Sequence, residues 1–563
     1  GNIEDMWKEM RRHCIIKFYL YQNKTMRKII AFLFVLPFFG LAQNNSGEIH
    51  GDFDLSLQTY NEDESIGALA ADEVILNNAY FNLLYTKGKF TVGVRYESYL
   101  NALKDFDPRY NGNGIPYRFA QYNNDGLEIT AGSFYEQFGS GLILRSYEEK
   151  TLGIDNAMDG IRLRYSPISG VYLKTFIGRE RKFFEYSKGI VRGADGEVNI
   201  NDILKLTTKT KAILGGSVVS RFQNATNPNF NIPENVSAFA GRMNIISGGL
   251  NWYSEYACKI NDPIGSLTEN NYASGNAITS NLTYSQKGIG ISLEAHRVDN
   301  MVFRADRDAV GKDLLLNYIP SISKQHAYTL VSLYPYATQP NGEAGFQIDL
   351  FYKLEKGNWI GGKYGTKLDV NFSRINALNG GPSYLSDDIN HEPMLVSLKG
   401  EALYYQDFNV EITRKINRKV KIVVVLAKQS YNKDVVQQQT GYGIIESDIA
   451  VLDLTYKIKK GHSIRVELQE LKTEQDDGDW SMGLAEYTIS PHWFFAIQDL
   501  YNWGNKNPDK QLHYFNADVG YIKGANRFTI GYGKKREGIF CVGGVCKTVP
   551  SSNGLTLSIS SSF

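Results

Sequence analysis

At 563 residues the chain is long enough for roughly three or four soluble domains, though large barrels escape that expectation, and its 61 basic and 60 acidic residues exert no net pull toward nucleic acid. Tyr (36), Phe (29) and Gly (53) are abundant while Pro (15) is scarce. Beyond residue 42 no stretch reaches the roughly 18 consecutive apolar residues of a membrane helix, so helical membrane proteins are excluded.

In chain order, residues 1–25 carry no pattern that connects to the rest and read as an upstream leader foreign to the mature protein. Residues 26–42 read as a secretory signal peptide: basic Met26-Arg27-Lys28, an apolar run, then Gly40 and Ala42 at the small-residue positions of a cut before Gln43. No Cys follows that cut, which argues against a lipoprotein. The mature chain, 43–563, then enters its first strand near Glu48, leaving no room for an amino-terminal plug domain.

From there apolar residues recur at every second position. Phe90, Val92, Val94 and Tyr96 share one face against Thr91, Gly93, Arg95 and Glu97, and Ile464, Val466 and Leu468 oppose Arg465, Glu467 and Gln469. Short turns, as at Lys87-Gly88, Ser247-Gly248 and Asn417-Arg418, alternate with long polar loops, of which 300–342 is the longest. A soluble sandwich has no reason to alternate in this way, whereas bacterial outer-membrane barrels do. The expected fold is all-β: a large transmembrane antiparallel up-and-down β-barrel of about 24 strands (roughly 22–26), lipid-facing outside, with both termini periplasmic. Tyr404, Tyr456, Trp480 and Trp503, near strand ends, are candidates for the aromatic girdles. The inward positions carry charges of both signs, which can pair between strands and argue against a strongly charge-selective lumen.

The last ten residues place Leu555, Leu557, Ile559, Ser561 and terminal Phe563 on one face. An amphipathic final strand ending in an aromatic residue resembles the signal read by the barrel-assembly machinery, the expected partner along with outer-membrane lipids.

Export implies a compartment in which cysteines pair. If Gly543-Gly544 forms a two-residue turn, Cys541 and Cys546 become a non-hydrogen-bonded pair close enough for a disulfide; a metal half-site is the rival reading. Other chemistry is sparse. The mature chain's His residues stand about twenty or more positions apart, so no local metal signature is present and no cofactor is expected. Gly357 to Tyr364 matches a phosphate loop except for Tyr364 in place of Ser or Thr, and reads as a hairpin. Gln475 to Asp479 likewise reads as an Asp-Gly turn before a calcium loop. No Gly-x-Ser-x-Gly elbow occurs, so a surface enzyme is the weakest reading.

The densest polar segment runs from Phe134 to Gly160. Glu136, Arg145, Glu148, Glu149, Asp155 and Asp159 interleave with Gly139 and Gly141, and Arg162 and Arg164 follow on the next strand. These eight residues are the candidate constriction or ligand contacts if the segment folds inward; a self-paired outer loop is the equal alternative.

The stretch 132–160, from Gly-Ser-Phe-Tyr-Glu-Gln-Phe-Gly to Asn-Ala-Met-Asp-Gly, resembles the signature of a Bacteroidota outer-membrane barrel family of unknown function, and 255–263, 361–366 and 541–550 support the likeness. The resemblance implies fold and location and no activity. The leading expectation is a passive or gated uptake channel narrowed by loops 139–155 and 300–342. The alternative is a scaffold barrel anchoring surface lipoproteins or secretion and assembly partners.

Overall fold

The computed structural model describes residues 47–225, 232–260, 262, 274–357, 359–378, 402–542 and 545–563. The leader, the signal peptide, the Gly543-Gly544 turn and part of the loop at 374–398 lie outside the described residues.

Period-two patterning produces one antiparallel sheet that meets itself. Of its 25 hydrogen-bonded strands, the two-residue Glu185–Tyr186 only extends a hairpin of Val171–Lys182, which leaves 24 strands in the wall. The first, Glu48–Gln58, pairs with its successor Leu76–Lys87 and with the last, Ser552–Ser562, with Leu55 opposite Ile559. Closure leaves no unpaired edge, the condition that lipid imposes on a β structure.

The alternation sorts as expected. Val92, Val94, Tyr96 and Leu468 are exposed on the outer face, whereas Arg95, Glu97, Glu467 and Gln469 are buried inside. Exposed aromatics gather close to the short turns (Tyr165, Tyr172, Trp252, Tyr284, Tyr352, Tyr456, Trp493), and others lie farther up the strands (Tyr96, Tyr256, Phe515, Tyr532). Ile161, Ile177, Leu426, Leu452 and Ile530 form an apolar band on the same outer face. This is a transmembrane β-barrel with its girdles.

Trp480 is a correction to the expected girdle. It is buried at 3% exposure beside Met482 in the inner cluster around Tyr405 and Tyr431. Its strand position has inward parity, and the apolar material it meets is protein rather than lipid.

The tight turns 88–89, 125–126, 248–249, 287–288 and 524–525 lie at one end, and the longer connections 100–111, 135–157 and 300–341 at the other. The 355–365 connection is a hairpin turn between Gly342–Leu354 and Thr366–Asn376. The 473–479 connection is also a turn, with Asp476 paired to Lys433 at 2.6 Å. Cys541 and Cys546 are joined as a disulfide with Cα atoms 4.0 Å apart, in register within the hairpin Gly538–Val542 and Val545–Val549.

Candidate functional site

Two segments leave the loop end and turn back into the lumen. The first is 135–157. At its apex Gly139 has φ +52°, and a Cβ there would stand 2.4 Å from Glu255 Oε1, so a larger residue would be strained and would push the Glu255 carboxylate aside. The amide of Ser140 donates to Glu255 Oε2 at 2.6 Å, which ties the apex to the distant strand Leu250–Ile260. Phe138, Leu142, Ile143 and Leu144 are buried in one cluster with the wall residues Phe176, Val191 and Val219.

Two ionic clusters hold this segment's limbs. In one, Arg95 pairs with Glu97 (2.8 Å), Glu148 (2.8 Å) and Asp155, while Arg181 pairs with Glu97 (2.6 Å) and Asp155 (2.5 Å). Burial, reinforced by the nearby Asp155 charge and opposed by Arg95, raises the Glu148 carboxyl above its ordinary range. In the other, Glu136 receives Arg164 (2.9 Å), Lys174 (3.4 Å) and Arg162 (3.9 Å), and Arg162 also pairs with Glu128 (2.7 Å). Removing an ion from water costs several kcal/mol unless partners replace the hydration, so this pairing is what permits the inward fold.

Of the eight sequence-selected residues, Glu148 and Asp155 enter the first cluster, and Glu136, Arg162 and Arg164 the second. The other three stand apart. Arg145 stacks over Tyr318 (4.0 Å) and Tyr147 (4.6 Å), Asp159 faces Arg118 at 3.4 Å, and Glu149 accepts from the Thr151 amide at 3.0 Å. Arg181 was missed because its position reads as loop; it is the penultimate residue of Val171–Lys182 and shares the parity of the outward Ile177, yet it is buried against Glu97 and Asp155.

The second segment, 300–341, crosses the lumen. Its first half forms a small hairpin, with Leu316 N donating to Phe303 O (2.9 Å) and Ala305 N to Leu314 O (2.8 Å). Lys259 Nζ and Arg221 Nη1 donate to the carbonyls of Val302 (2.6 Å) and Arg304 (3.2 Å). Contacts with the first segment follow: Arg145 N to Leu316 O at 2.8 Å and Tyr318 N to Gly141 O at 3.0 Å. The second half reaches the opposite wall, where Lys324 donates to Asn409 (2.9 Å), His326 meets Asp407 (2.5 Å), Tyr328 donates to Asp453 (3.2 Å) and Leu330 N to Gln469 (2.8 Å).

A cavity of about 550 Å³ runs along the seam where first and last strands meet, from Lys547 and Asp105 at the loop end to Arg527 near a turn. Its wall follows from register: Thr529, Ser558, Ser56 and Asn78 occupy one row across four strands, and Arg527, Ser560, Asp54 and Tyr80 the next. Short side chains there leave the space that bulky groups fill elsewhere. Lys150 pairs with Asp54 and Lys547 with Asp105, each at 2.7 Å. Among the described residues no group of three His, Cys, Asp or Glu side chains converges as a metal site.

A family model described as a family of unknown function (DUF6029) matches residues 25–563, and the chain belongs to that family. No curated protein matches the sequence. Among solved structures, the P pilus usher (PapC) translocation pore is similar at 8% identity and TM-score 0.43, over 92% of this chain and 99% of that one. The siderophore receptor PirA from Pseudomonas aeruginosa is similar at 10% identity and TM-score 0.40, over 93% and 82%. The outer membrane protein opdK from Pseudomonas aeruginosa is similar at 9% identity and TM-score 0.33, over 92% and 99%. With TM-scores this low, these likenesses carry no argument about the present chain.

Proposed function

We propose that this protein is an outer-membrane channel whose lumen is narrowed by 135–157 and 300–341, with both termini in the periplasm. The observation that carries the reading is the docking of 300–341 on both sides of the wall, which fills the lumen while the seam cavity remains. In this reading Glu136, Glu148, Asp155, Arg162 and Arg164 set the constriction by fixing one limb, and Arg145 couples the two segments through Tyr318.

Planar-bilayer recording tests it. The native barrel is expected to pass a small current that rises severalfold when 304–337 is replaced by a short Gly-Ser linker. Silence in both forms would overturn the channel.

A scaffold role is the second reading, favoured by Leu69, Val74 and Val310, which stand 60–73% exposed at the loop end as a contact for a surface lipoprotein. A stoichiometric lipoprotein retained on purification from native membranes, with no conductance, is its expected signature. Delivery to the membrane runs through the barrel-assembly machinery reading the terminal strand, whose Phe563 packs over Gly51 and exchanges backbone hydrogen bonds with it at 2.9 and 3.0 Å.

A further inference from the structure

We infer that the seam cavity is a binding site for an uncharged, polyhydroxylated solute of the carbohydrate class, and that the disulfide-linked strands 538–542 and 545–549 are its roof. The inference rests on the channel reading and names what the channel would take.

Size comes first. About 550 Å³ falls within the range of small-molecule sites, roughly 300–1,000 Å³. The lining chemistry then narrows the ligand. Ser56, Ser558, Ser560 and Thr529 present hydroxyl groups on three adjacent strands, each able both to donate and to accept, while Asn78 beside them is buried with its Oδ1 accepting from the Leu103 amide. A sugar carries the complementary array, one donor-acceptor pair on nearly every carbon. Aromatic carbon from Tyr80, Phe106 and Phe540 faces the same space and offers flat apolar surface to sugar C–H groups.

The charges argue against an ionic ligand. Lys150 is engaged by Asp54, and its ammonium also lies 4.7 Å from the Tyr80 ring centroid. Lys547 is engaged by Asp105 and lies 4.7 Å from the Phe106 ring. Arg527 lies 5.0 Å over Phe494 and is the remaining lining cation. An anion would have to compete with two formed ion pairs or rely on Arg527, whereas a neutral polyol displaces only water.

The roof is a built element rather than a stray loop. Phe540, Lys547 and Val549 of the hairpin line the cavity, the Cys541–Cys546 bond fixes the two arms to one another, and the Lys547–Asp105 pair pins the hairpin to loop 100–111.

The test uses the full-length barrel purified in a sugar-free detergent, with labelled maltotriose as probe in equilibrium dialysis. Saturable binding is expected, weakened at least tenfold by the combined Ser56→Leu, Thr529→Leu and Ser558→Leu substitutions, which fill the panel. Should that variant fail to fold, Phe540→Ala, outside the wall, carries the test with an expected several-fold loss. Arg527→Gln is expected to leave the affinity within about twofold. Absence of saturable maltotriose binding, binding indifferent to both the panel and Phe540, or an Arg527-dependent preference for citrate over maltotriose would each overturn the site. Conductance on the same preparation separates the two claims. Ion flow without maltotriose binding overturns this inference and leaves the channel standing, and maltotriose binding in a silent barrel overturns the channel alone.

Discussion

Truncating Phe303 to Ala tests whether 300–341 is a docked unit distinct from the wall. Phe303 is fully buried among Met301, Leu316 and Phe138, and its backbone is held by Asn317 Oδ1 (3.1 Å) and Leu316 N (2.9 Å). Loss of a buried Phe side chain costs about 3–5 kcal/mol in transfer and cavity terms together. Because Phe303 belongs to the segment and not to a strand, that loss falls on docking. At about 1.4 kcal/mol per tenfold, the docking equilibrium weakens by roughly a hundredfold to a few thousandfold. Native-state hydrogen exchange of the barrel in nanodiscs reads this directly: protection of amides in 301–319 should fall by that factor while wall strands such as Val420–Asn432 keep theirs. Unchanged protection in 301–319, or an equal fall in segment and strands, would refute the idea that the segment opens independently.

Asp155→Ala leaves Arg95 and Arg181 buried with one partner fewer, and should lower stability by about 3–5 kcal/mol, read as a shift in the urea midpoint. Replacing Cys541 and Cys546 by Ser removes the constraint on a short loop, worth about 2 kcal/mol, and should speed exchange in 538–549 roughly thirtyfold without touching the strands. Asp107 accepts from the Arg109 side chain and amide, which hold its carboxyl below the ordinary carboxylate range. Since the folded value is the lower one, this contribution is complete above the ordinary value and disappears as pH falls through the depressed one; protection in loop 100–111 should be flat from pH 7 to 5 and decline only below about pH 4. A loss already evident near pH 6 would contradict that assignment. Shortening 304–337 removes His326 from Asp407 while Asp453 and Glu467 keep Arg465, so the widened pore should show a mild preference for cations, and an anion-directed reversal potential under a KCl gradient would sink that reading.

The wall was legible because lipid demands a period of two. Val92, Val94 and Tyr96 could face nothing but the bilayer once Arg95 and Glu97 took the other side. Cys541 and Cys546 were legible because a two-residue turn fixes cross-strand register. Trp480 misled because proximity to a strand end suggests a girdle, whereas parity decides the face and Met482 shares it. The roles within 134–160 were only half visible. Glu148 and Asp155 were selected, but their partners Arg95 and Arg181 lie 53 and 26 residues away and meet them through barrel closure, which no local pattern encodes. The seam panel was hidden differently: Ser56, Ser558, Ser560 and Thr529 are ordinary inward strand residues one by one, and become a surface only when the first strand meets the last.

Charge explains why the crossing segment docks in one orientation and why the space it leaves is at the seam. On one wall Lys259 and Arg221 need acceptors and receive the carbonyls of Val302 and Arg304. On the other, Asp407 and Asp453 need donors and receive His326 and Tyr328. Reversing the segment would set carbonyls against Asp407 and Asp453 and withdraw one acceptor each from Lys259 and Arg221, whose shared ion-pair partner Asp262 stays in place. The row of Thr529, Ser558 and Ser56 makes no comparable demand, because exposed hydroxyls can be satisfied by water, and Asn78 beside them already accepts from the Leu103 amide. Protein therefore fills the lumen where wall side chains hydrogen-bond the segment, and the opening persists beside the short row Thr529, Ser558 and Ser56.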